Sequence, residues 1–332
     1  MAHTKDTVLS RKFYEQKEFF EVPTSFLRLD SQLSFEIYLP PDNDSHPPVL
    51  YRNKNLPFTQ EVKHRLMDHD VVTLLIPTES DQSFYQYIEN NIGDILADPD
   101  ISIDQRATYL YESAQNLIHS MMKDPRAGDM LHRSSNIADH AVHFMFKESD
   151  AFKSLMQVTS YDYYTYTHSV NVFVFSTALA HAIGHSEFEV RIFGQGTLLH
   201  DIGKSMIDPA IIRSREKLTP SQWYEIKQHP VYGHQILLQQ GIRDEVVLST
   251  TRHHHEKLDG AGYPDGLRAN DISRWARICA IADVFDAMTS RRTYKDAIGS
   301  FETLKIMRDE MSTQLDRHFL RVFIQMMGSS ND

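Results

Sequence analysis

Two pairs of adjacent metal-binding residue types constrain this chain more than any other feature. His200 and Asp201 lie side by side in the run HDIGK, and His254 and His255 lie side by side in the run HHEKLDGAGYP. Imidazole and carboxylate groups are ligands for borderline divalent metals. Neighbouring residues about 100° apart on a helix can direct one side chain at each of two ions. The two pairs therefore predict a buried site for two metal ions.

Three single residues, His168, His229 and Asp283, extend the candidate ligand set to seven. His168 lies in a segment, Thr165 to His181, whose apolar spacing is helical and turns it toward the core. His229 precedes a proline, which displaces its backbone from helical geometry and indicates a helix junction. Asp283 lies in the apolar run Arg277 to Met288, where an unpaired acid is costly. Taken singly, His168 is better explained as a packing residue and His229 equally well as a helix-end residue, whereas ligation explains Asp283 better than chance. The prediction therefore depends on the whole set.

Length and charge limit the alternatives. A chain of 332 residues exceeds the usual size of a single core, which favours two domains. The content of 41% hydrophobic and 24% charged residues is typical of a globular protein. A formal net charge of -11 argues against a polymeric nucleic acid as partner, because a domain that follows phosphates is usually basic. An anionic substrate would then need local positive charge, which bound metal ions supply.

The location predicted from the sequence is the cytoplasm. The single cysteine, Cys279, cannot form an internal disulfide, which is typical of a reducing compartment. The first twenty residues carry charges throughout and lack the apolar core of a secretory signal. No stretch approaches the ~20 apolar residues that cross a bilayer, so we expect no membrane insertion.

The first hundred residues differ from the rest in their sequence pattern. Short β-prone segments at 22–29, 34–39, 49–52 and 71–77 alternate with turn residues, and a short helix is predicted from Pro57 to Met67. Helical periodicity begins near residue 83 and strengthens after 162. We therefore predict an α+β protein, in which residues 1–125 form a smaller N-terminal α/β accessory or regulatory domain with a helical connector. Residues 126–332 form an all-helical C-terminal domain.

Two further features lie beside the paired ligands. Lys204 follows His200 by four residues and Asp201 by three, a spacing that places its ammonium beside the metal ions. Three glycines and a proline follow His255 closely, which predicts a tight loop that approaches a ligand with bare backbone.

The ordered motifs HD, GK, HP, HHE, DGxGYP and IADVFDA resemble the HD-GYP family of cyclic di-GMP phosphodiesterases, over roughly residues 155 to 328. The resemblance implies an all-helical catalytic domain with two metal ions. It implies that one ion is held by His168, His200, Asp201 and Asp283. The other is held by His229, His254 and His255, with Asp201 bridging the two.

The same resemblance implies the substrate-side roles. Lys204 lies near the scissile phosphate and acts with Asp201 in catalysis. Arg292 and Lys295 bind substrate phosphates, and the GYP loop borders the substrate through Gly262 and Tyr263.

The chain departs from the family pattern at three positions. Arg291 and Thr293 stand where an acid and a proline are common, which puts the substrate-side loop in question. Tyr164 stands where some members have a glutamate that helps to hold a third ion, so two ions are expected here.

The predicted reaction is hydrolysis of cyclic di-GMP to pGpG, with GMP left open, by attack of a hydroxide that bridges two divalent ions. The ligand types suit iron, manganese or zinc, and the resemblance favours iron or manganese over zinc. One alternative is a hydrolase of another cyclic dinucleotide or of a nucleoside phosphate. Another is a non-catalytic signalling module that binds the dinucleotide. Protein partners, through the GYP loop or the N-terminal domain, and a homodimer also stay open.

Overall fold

The computed structural model of the chain describes residues 11–14, 17–29, 31–41, 46–159, 165–214, 216–290 and 297–329. Two compact units are present, Met1–Ser113 and Ala114–Asp332. The division falls within a long helix, Ile103–Lys123. The sequence-based boundary at residue 125 remains a prediction.

An antiparallel sheet forms the centre of the first unit, with strand order β1-β2-β7-β4-β5, and a separate two-stranded ladder joins β3 to β6. The central strand β7 is paired on both edges, with β2 and β4, and is buried at Leu74, Leu75 and Ile76. The strands are β1 (Arg11–Tyr14), β2 (Lys17–Pro23), β3 (Gln32–Leu33), β4 (Ile37–Leu39), β5 (Val49–Arg52), β6 (Leu56–Pro57) and β7 (Thr73–Pro77).

The helices begin in the first unit and make up most of the second. Those of the first unit are α1 (Gln60–Asp68), α2 (Asp81–Asn90) and α3 (Ile92–Ala97), and α4 (Ile103–Lys123) crosses the division. Those of the second are α5 (Met130–Lys147), α6 (Ala151–Val158), α7 (Thr165–Ile183), α8 (Glu187–Leu198), α9 (Pro209–Ile212), α10 (Pro220–Ile226), α11 (His229–Gln239), α12 (Glu245–His253), α13 (Arg274–Thr289), α14 (Ser300–Glu310) and α15 (Arg317–Ser329). The predicted α+β fold class, with a helical C-terminal part, is confirmed.

The predicted strand at residues 22–29 is wrong beyond its first residues. Strand β2 ends at Pro23, and a 3-10 turn, Thr24–Phe26, follows. This turn is held by Thr24, whose amide donates to Val72 O at 3.0 Å. A proline supplies no amide to a ladder, and the strand pairing stops there.

The helix predicted to open at Pro57 begins three residues later, at Gln60. Thr59 is its N-cap, because the Thr59 hydroxyl accepts a hydrogen bond from Val62 N at 3.4 Å. Pro57 instead pairs with Gln32 in the short ladder.

Helix α7 is the centre of the second unit and packs against α8, α13 and α15. Every residue from Thr167 to Ala180 is buried, so this helix is covered on all sides and not on one face alone. Helix α8 also packs on α5 and α12, while α11 packs on α12. Polar residues on α7 are therefore enclosed in the core and require partners there.

From the HD pair and the sequence before it, a helix is predicted over Glu187 to Ile202, but helix α8 ends earlier, at Leu198. The chain then tightens, with His200 N donating to Thr197 O at 3.3 Å, and continues as a 3-10 turn, Ile202–Met206. His200 and Asp201 consequently lie in the connection between the two helical segments, not on a regular helix.

Two glycines bring this 3-10 turn against helix α11. A Cβ atom on Gly203 would lie 1.9 Å from His229 O and 2.4 Å from Gly233 N. A Cβ atom on Gly233 would lie 2.9 Å from Thr251 Cγ2. Only glycine permits the backbone after Asp201 to approach the start of α11 this closely.

No helix in the described part of the chain combines the length and apolarity needed to cross a bilayer.

Candidate metal centre

The structure brings all seven candidate ligand side chains together from five places in the second unit. His168 comes from α7, the pair at 200–201 from the connection after α8, His229 from the first residue of α11, the pair at 254–255 from the end of α12, and Asp283 from α13. The ligand atoms form two groups, each within 4.8 Å. One group contains Asp201, His229, His254 and His255, and the other contains His168, His200 and Asp283.

The Asp201 carboxylate lies between the two groups. Its Oδ2 atom is 3.6 Å from His168 Nε2 and 3.5 Å from His200 Nε2. Its Oδ1 atom is 3.1 Å from His229 Nε2 and 3.9 Å from His254 Nε2. Each oxygen thus faces one group of histidines, which is the arrangement that a bridging carboxylate requires.

Asp283 also faces both groups. Its Oδ1 atom is 3.1 Å from His168 Nε2, and its Oδ2 atom is 3.3 Å from His255 Nδ1. Two buried carboxylates therefore face the five histidines, and their negative charge would offset part of the charge of bound cations.

Three histidines are oriented by backbone carbonyls. The Nδ1 atoms of His200, His229 and His254 each lie against the carbonyl oxygen three residues earlier. The acceptors are Thr197 O at 2.7 Å, Ile226 O at 2.7 Å and Thr251 O at 2.9 Å, respectively. A carbonyl can only accept, so these contacts put the ring proton on Nδ1 and leave Nε2 as a lone pair directed at the centre.

His168 is oriented by a buried acid that is not one of the seven candidate ligands. Its Nδ1 atom lies 2.7 Å from Asp286 Oδ2. Asn171 donates to Asp286 Oδ1 at 2.7 Å, and Ser290 donates to the same oxygen at 3.2 Å. Asp286 is thus a buried positioning residue. It follows Asp283 by three residues, so two acids one turn apart in an apolar run were the signal for it.

The histidine geometry fits a bound cation. His229 Nε2 and His254 Nε2 lie only 3.2 Å apart, although neither carries a proton when the ring is neutral. Two such lone pairs repel each other unless a cation lies beside both. Two nitrogens bound to one ion at about 2.1 Å are separated by about 3.0–3.4 Å. His200 Nε2 is also buried and has no hydrogen-bond partner among the described residues.

Burial and neighbouring charges hold the ligands in the protonation states that metals require. Burial, together with the adjacent histidines, holds the pKa of His254 well below its usual range. Desolvation lowers the pKa of His255 to about 3, although 23% of its side chain is exposed. Burial alone would raise the pKa of Asp201 and Asp283. Lys204 and neighbouring histidines reverse this for Asp201, and histidines alone reverse it for Asp283, so both pKa values lie well below their ordinary value.

Lys204 lies at the edge of the centre, on the 3-10 turn after the HD pair. Its Nζ atom is 2.5 Å from Asp201 Oδ2, and 15% of its side chain is exposed. The ammonium therefore lies beside the candidate ligands, as the spacing predicted, on the Oδ2 side of Asp201.

A buried glutamate organises the loop that follows the histidine pair. Glu256 Oε1 accepts hydrogen bonds from Asp265 N at 2.7 Å and Gly266 N at 3.0 Å, and its Oε2 accepts one from Leu267 N at 3.1 Å. Arg252 adds a bidentate contact to the Asp265 carboxylate, with both distances 2.8 Å. Glu256 thereby ties the far end of the loop to the ligand histidines.

The loop places Tyr263 beside the centre. The Tyr263 ring centroid is 4.7 Å from that of His255 and 6.4 Å from that of His229. Gly262 is required by packing, because a Cβ atom there would lie 2.4 Å from Lys257 N and 2.5 Å from Glu256 Cα. This close crossing accounts for the glycine, and a contact between Gly262 and substrate stays a prediction.

Several sequence-based assignments lie outside the described residues. They are the phosphate-binding residues Arg292 and Lys295, and the departures from the family pattern at Tyr164, Arg291 and Thr293.

Comparisons with known proteins give similar sequences and a similar fold. Residues 178–319 match the family described as HD domain. Cyclic di-GMP phosphodiesterase PA4108 of Pseudomonas aeruginosa is 34% identical over 226 residues, or 68% of this chain and 54% of that protein. The 3'3'-cGAMP-specific phosphodiesterase 2 of Vibrio cholerae is 36% identical over 164 residues, or 49% of this chain and 31% of that protein. The chain thus spans about half the length of the first relative and about a third of the second.

A solved structure described as Bd1817, a HDG"Y"P protein from Bdellovibrio bacteriovorus, aligns with a TM-score of 0.64. The alignment covers 93% of this chain and 99% of that one at 22% identity, so it bears on the fold alone. The helical unit contains an HD domain and a cluster of histidine and aspartate residues able to hold metal. The chain belongs to the HD-GYP family, which confirms the resemblance seen in its motifs.

We expect Asp286→Ala to weaken metal binding by about 10- to 100-fold, because His168 loses the acceptor that fixes its ring. Asp286→Asn keeps an acceptor oxygen but not the charge, and we expect a smaller loss. Competition with a chelator of known affinity measures both. The exposed Asp309, which pairs with Arg308, supplies the control variant Asp309→Ala. Wild-type metal affinity in Asp286→Ala would contradict the positioning role.

We expect Glu256→Ala to accelerate amide hydrogen exchange at Asp265, Gly266 and Leu267 on the order of tenfold, since each amide loses its acceptor. Glu256→Gln keeps one oxygen as an acceptor, so fewer of these amides should exchange faster. Exchange followed by mass spectrometry checks both variants, with Glu302→Ala as a control at an exposed site. Unaltered exchange at 265–267 in Glu256→Ala would show that other contacts hold the loop.

Proposed function

We propose that this chain is a metal-dependent phosphodiesterase that hydrolyses cyclic di-GMP to linear pGpG, with further hydrolysis to GMP left open. The observation that carries the proposal is the position of Asp201, with one carboxylate oxygen facing each histidine group. The Pseudomonas relative, named as a cyclic di-GMP phosphodiesterase, supports this choice of substrate.

The proposed cofactor is a pair of divalent ions, with iron or manganese favoured over zinc on the family resemblance. Asp201, His229, His254 and His255 would hold one ion. His168, His200 and Asp283 would hold the other, with Asp201 shared. When bound, two such ions supply Lewis acid catalysis and a water of lowered pKa for in-line attack on a phosphodiester.

The chain itself would orient the reaction around that pair. Lys204 holds its ammonium beside Asp201 Oδ2, where it would stabilise negative charge on the phosphate. Tyr263 and Gly262 would border the substrate, and Arg292 and Lys295 would bind its phosphates. These four substrate contacts rest on the family resemblance and on the position of Tyr263 next to His255.

A second candidate substrate is another cyclic dinucleotide, which the similarity to the Vibrio enzyme named for 3'3'-cGAMP supports. The metal ligands act on the phosphodiester and do not contact the bases, so they do not distinguish the two. A nucleoside phosphate is a weaker candidate on the same ground. A non-catalytic binding module is disfavoured, because all seven ligand side chains are present and lie together.

A cytoplasmic location, a homodimer and a protein partner at the GYP loop or the N-terminal unit are further proposals. The location rests on the single cysteine, Cys279, which is buried.

The test is product analysis with metal-loaded protein and cyclic dinucleotides that differ in their bases. We expect pGpG from cyclic di-GMP, and we expect Lys204→Ala to slow this reaction by about 10²–10³-fold, the usual effect of losing one electrostatic stabiliser. Metal content of Lys204→Ala should stay at the wild-type level, because lysine is not a ligand.

Lys305→Ala is the control for Lys204→Ala, since Lys305 is exposed and pairs only with Glu302 among the described residues. No product from any cyclic dinucleotide with fully loaded protein would reject the proposed activity. Loss of metal in Lys204→Ala, with unchanged turnover per bound ion, would reject the proposed role of Lys204 alone.

A further inference from the structure

An exposed lysine lies over the tyrosine of the GYP loop. Lys227 follows helix α10 directly and precedes His229 by two residues. Its Nζ atom is 5.5 Å from the centroid of the Tyr263 ring, within the range of a cation–π contact. Lys227 is not one of the seven candidate ligands, and it lies outside the motifs that carry the family resemblance.

Tyr263 connects that lysine to the metal centre. The Tyr263 ring centroid is 4.7 Å from the His255 ring, and the two planes are tilted by 31°. The two distances together place the ammonium of Lys227 no more than about 10 Å from the His255 ring. The cation is therefore at the rim of the centre and not at a remote surface.

The charge of Lys227 is available to a ligand. Its side chain is exposed, and no carboxylate in the described ranges lies within 4.0 Å of its ammonium. A long side chain loses rotamer freedom when it is held over a ring. The attraction between the ammonium and the aromatic face favours the rotamers that keep Lys227 over Tyr263. The chain has a formal net charge of -11. A cation without a carboxylate partner beside the proposed phosphodiester site would nevertheless attract an anion locally.

A cyclic dinucleotide carries two phosphodiester anions on one small ring. The seven-ligand centre accounts for the anion that is cleaved. A lysine at the rim would add a positive partner for the other anion, in addition to the contacts proposed for Arg292 and Lys295. Lysine binds phosphate as a compact point charge and needs no bidentate geometry. Resting on the proposed function, we infer that Lys227 binds the phosphate of the substrate that is not being cleaved, with Tyr263 positioning its ammonium.

The experiment compares two substrates in Lys227→Met, Lys227→Arg and wild-type protein loaded with metal. Cyclic di-GMP has the second phosphate, while bis(p-nitrophenyl) phosphate has only one. In Lys227→Met, the KM for both substrates is compared with wild type. The factor by which the KM for cyclic di-GMP rises should be on the order of tenfold larger than the factor for the small diester. Lys227→Arg keeps the charge and should recover most of the loss.

Lys217→Met is the matched control, because Lys217 is an exposed lysine in the segment before α10 and its loss changes the net charge equally. A KM for cyclic di-GMP that is equal in wild type and Lys227→Met overturns the inference. Equal losses on both substrates also overturn it, since Lys227 would then act on the centre through Tyr263 and His255. A different outcome would reject the proposed function itself. In that case wild-type protein would hydrolyse the small diester but would neither bind nor hydrolyse any cyclic dinucleotide.

Discussion

One carboxylate determines the arrangement of the whole centre. Asp201 is buried and presents its two oxygens to opposite groups of histidines. Such a group is costly to bury unless positive charge compensates it, and Lys204 supplies part of that charge from the rim. The remaining compensation is what a pair of divalent ions would provide, so metal binding and the stability of this helical unit should be linked.

The backbone around Asp201 makes its central position attainable. Helix α8 stops at Leu198, and the tight turn that follows turns the HD pair inward. Gly203 then lets this turn approach the first residue of α11, so that His229 faces the same carboxylate. A side chain at position 203 would push the two backbones apart and would thereby disrupt the bridging geometry of Asp201.

Much of this site could be predicted from sequence, because ligand chemistry is tied to residue type. Adjacent pairs such as His254 and His255, combined with a family pattern, predict candidate ligands without three-dimensional information, and the structure brings these candidates together. The roles of the positioning residues could not be predicted in this way. Glu256 and Asp286 lie within the motifs HHE and IADVFDA, but they act through contacts with residues distant in sequence or with loop amides, which the motifs do not encode. Periodicity likewise predicted the helical character of the second unit, but it missed helix ends and the 3-10 turn that makes the HD pair converge with His229.

The most direct test of this account is a crystal structure of metal-loaded protein with anomalous diffraction at the metal absorption edge. The account predicts two peaks about 3.5–4 Å apart, one beside each carboxylate oxygen of Asp201. The first should be surrounded by His168, His200 and Asp283, and the second by the remaining histidines. A single peak in fully loaded protein, or two peaks that do not share Asp201, would contradict the bridging role on which the proposed chemistry depends.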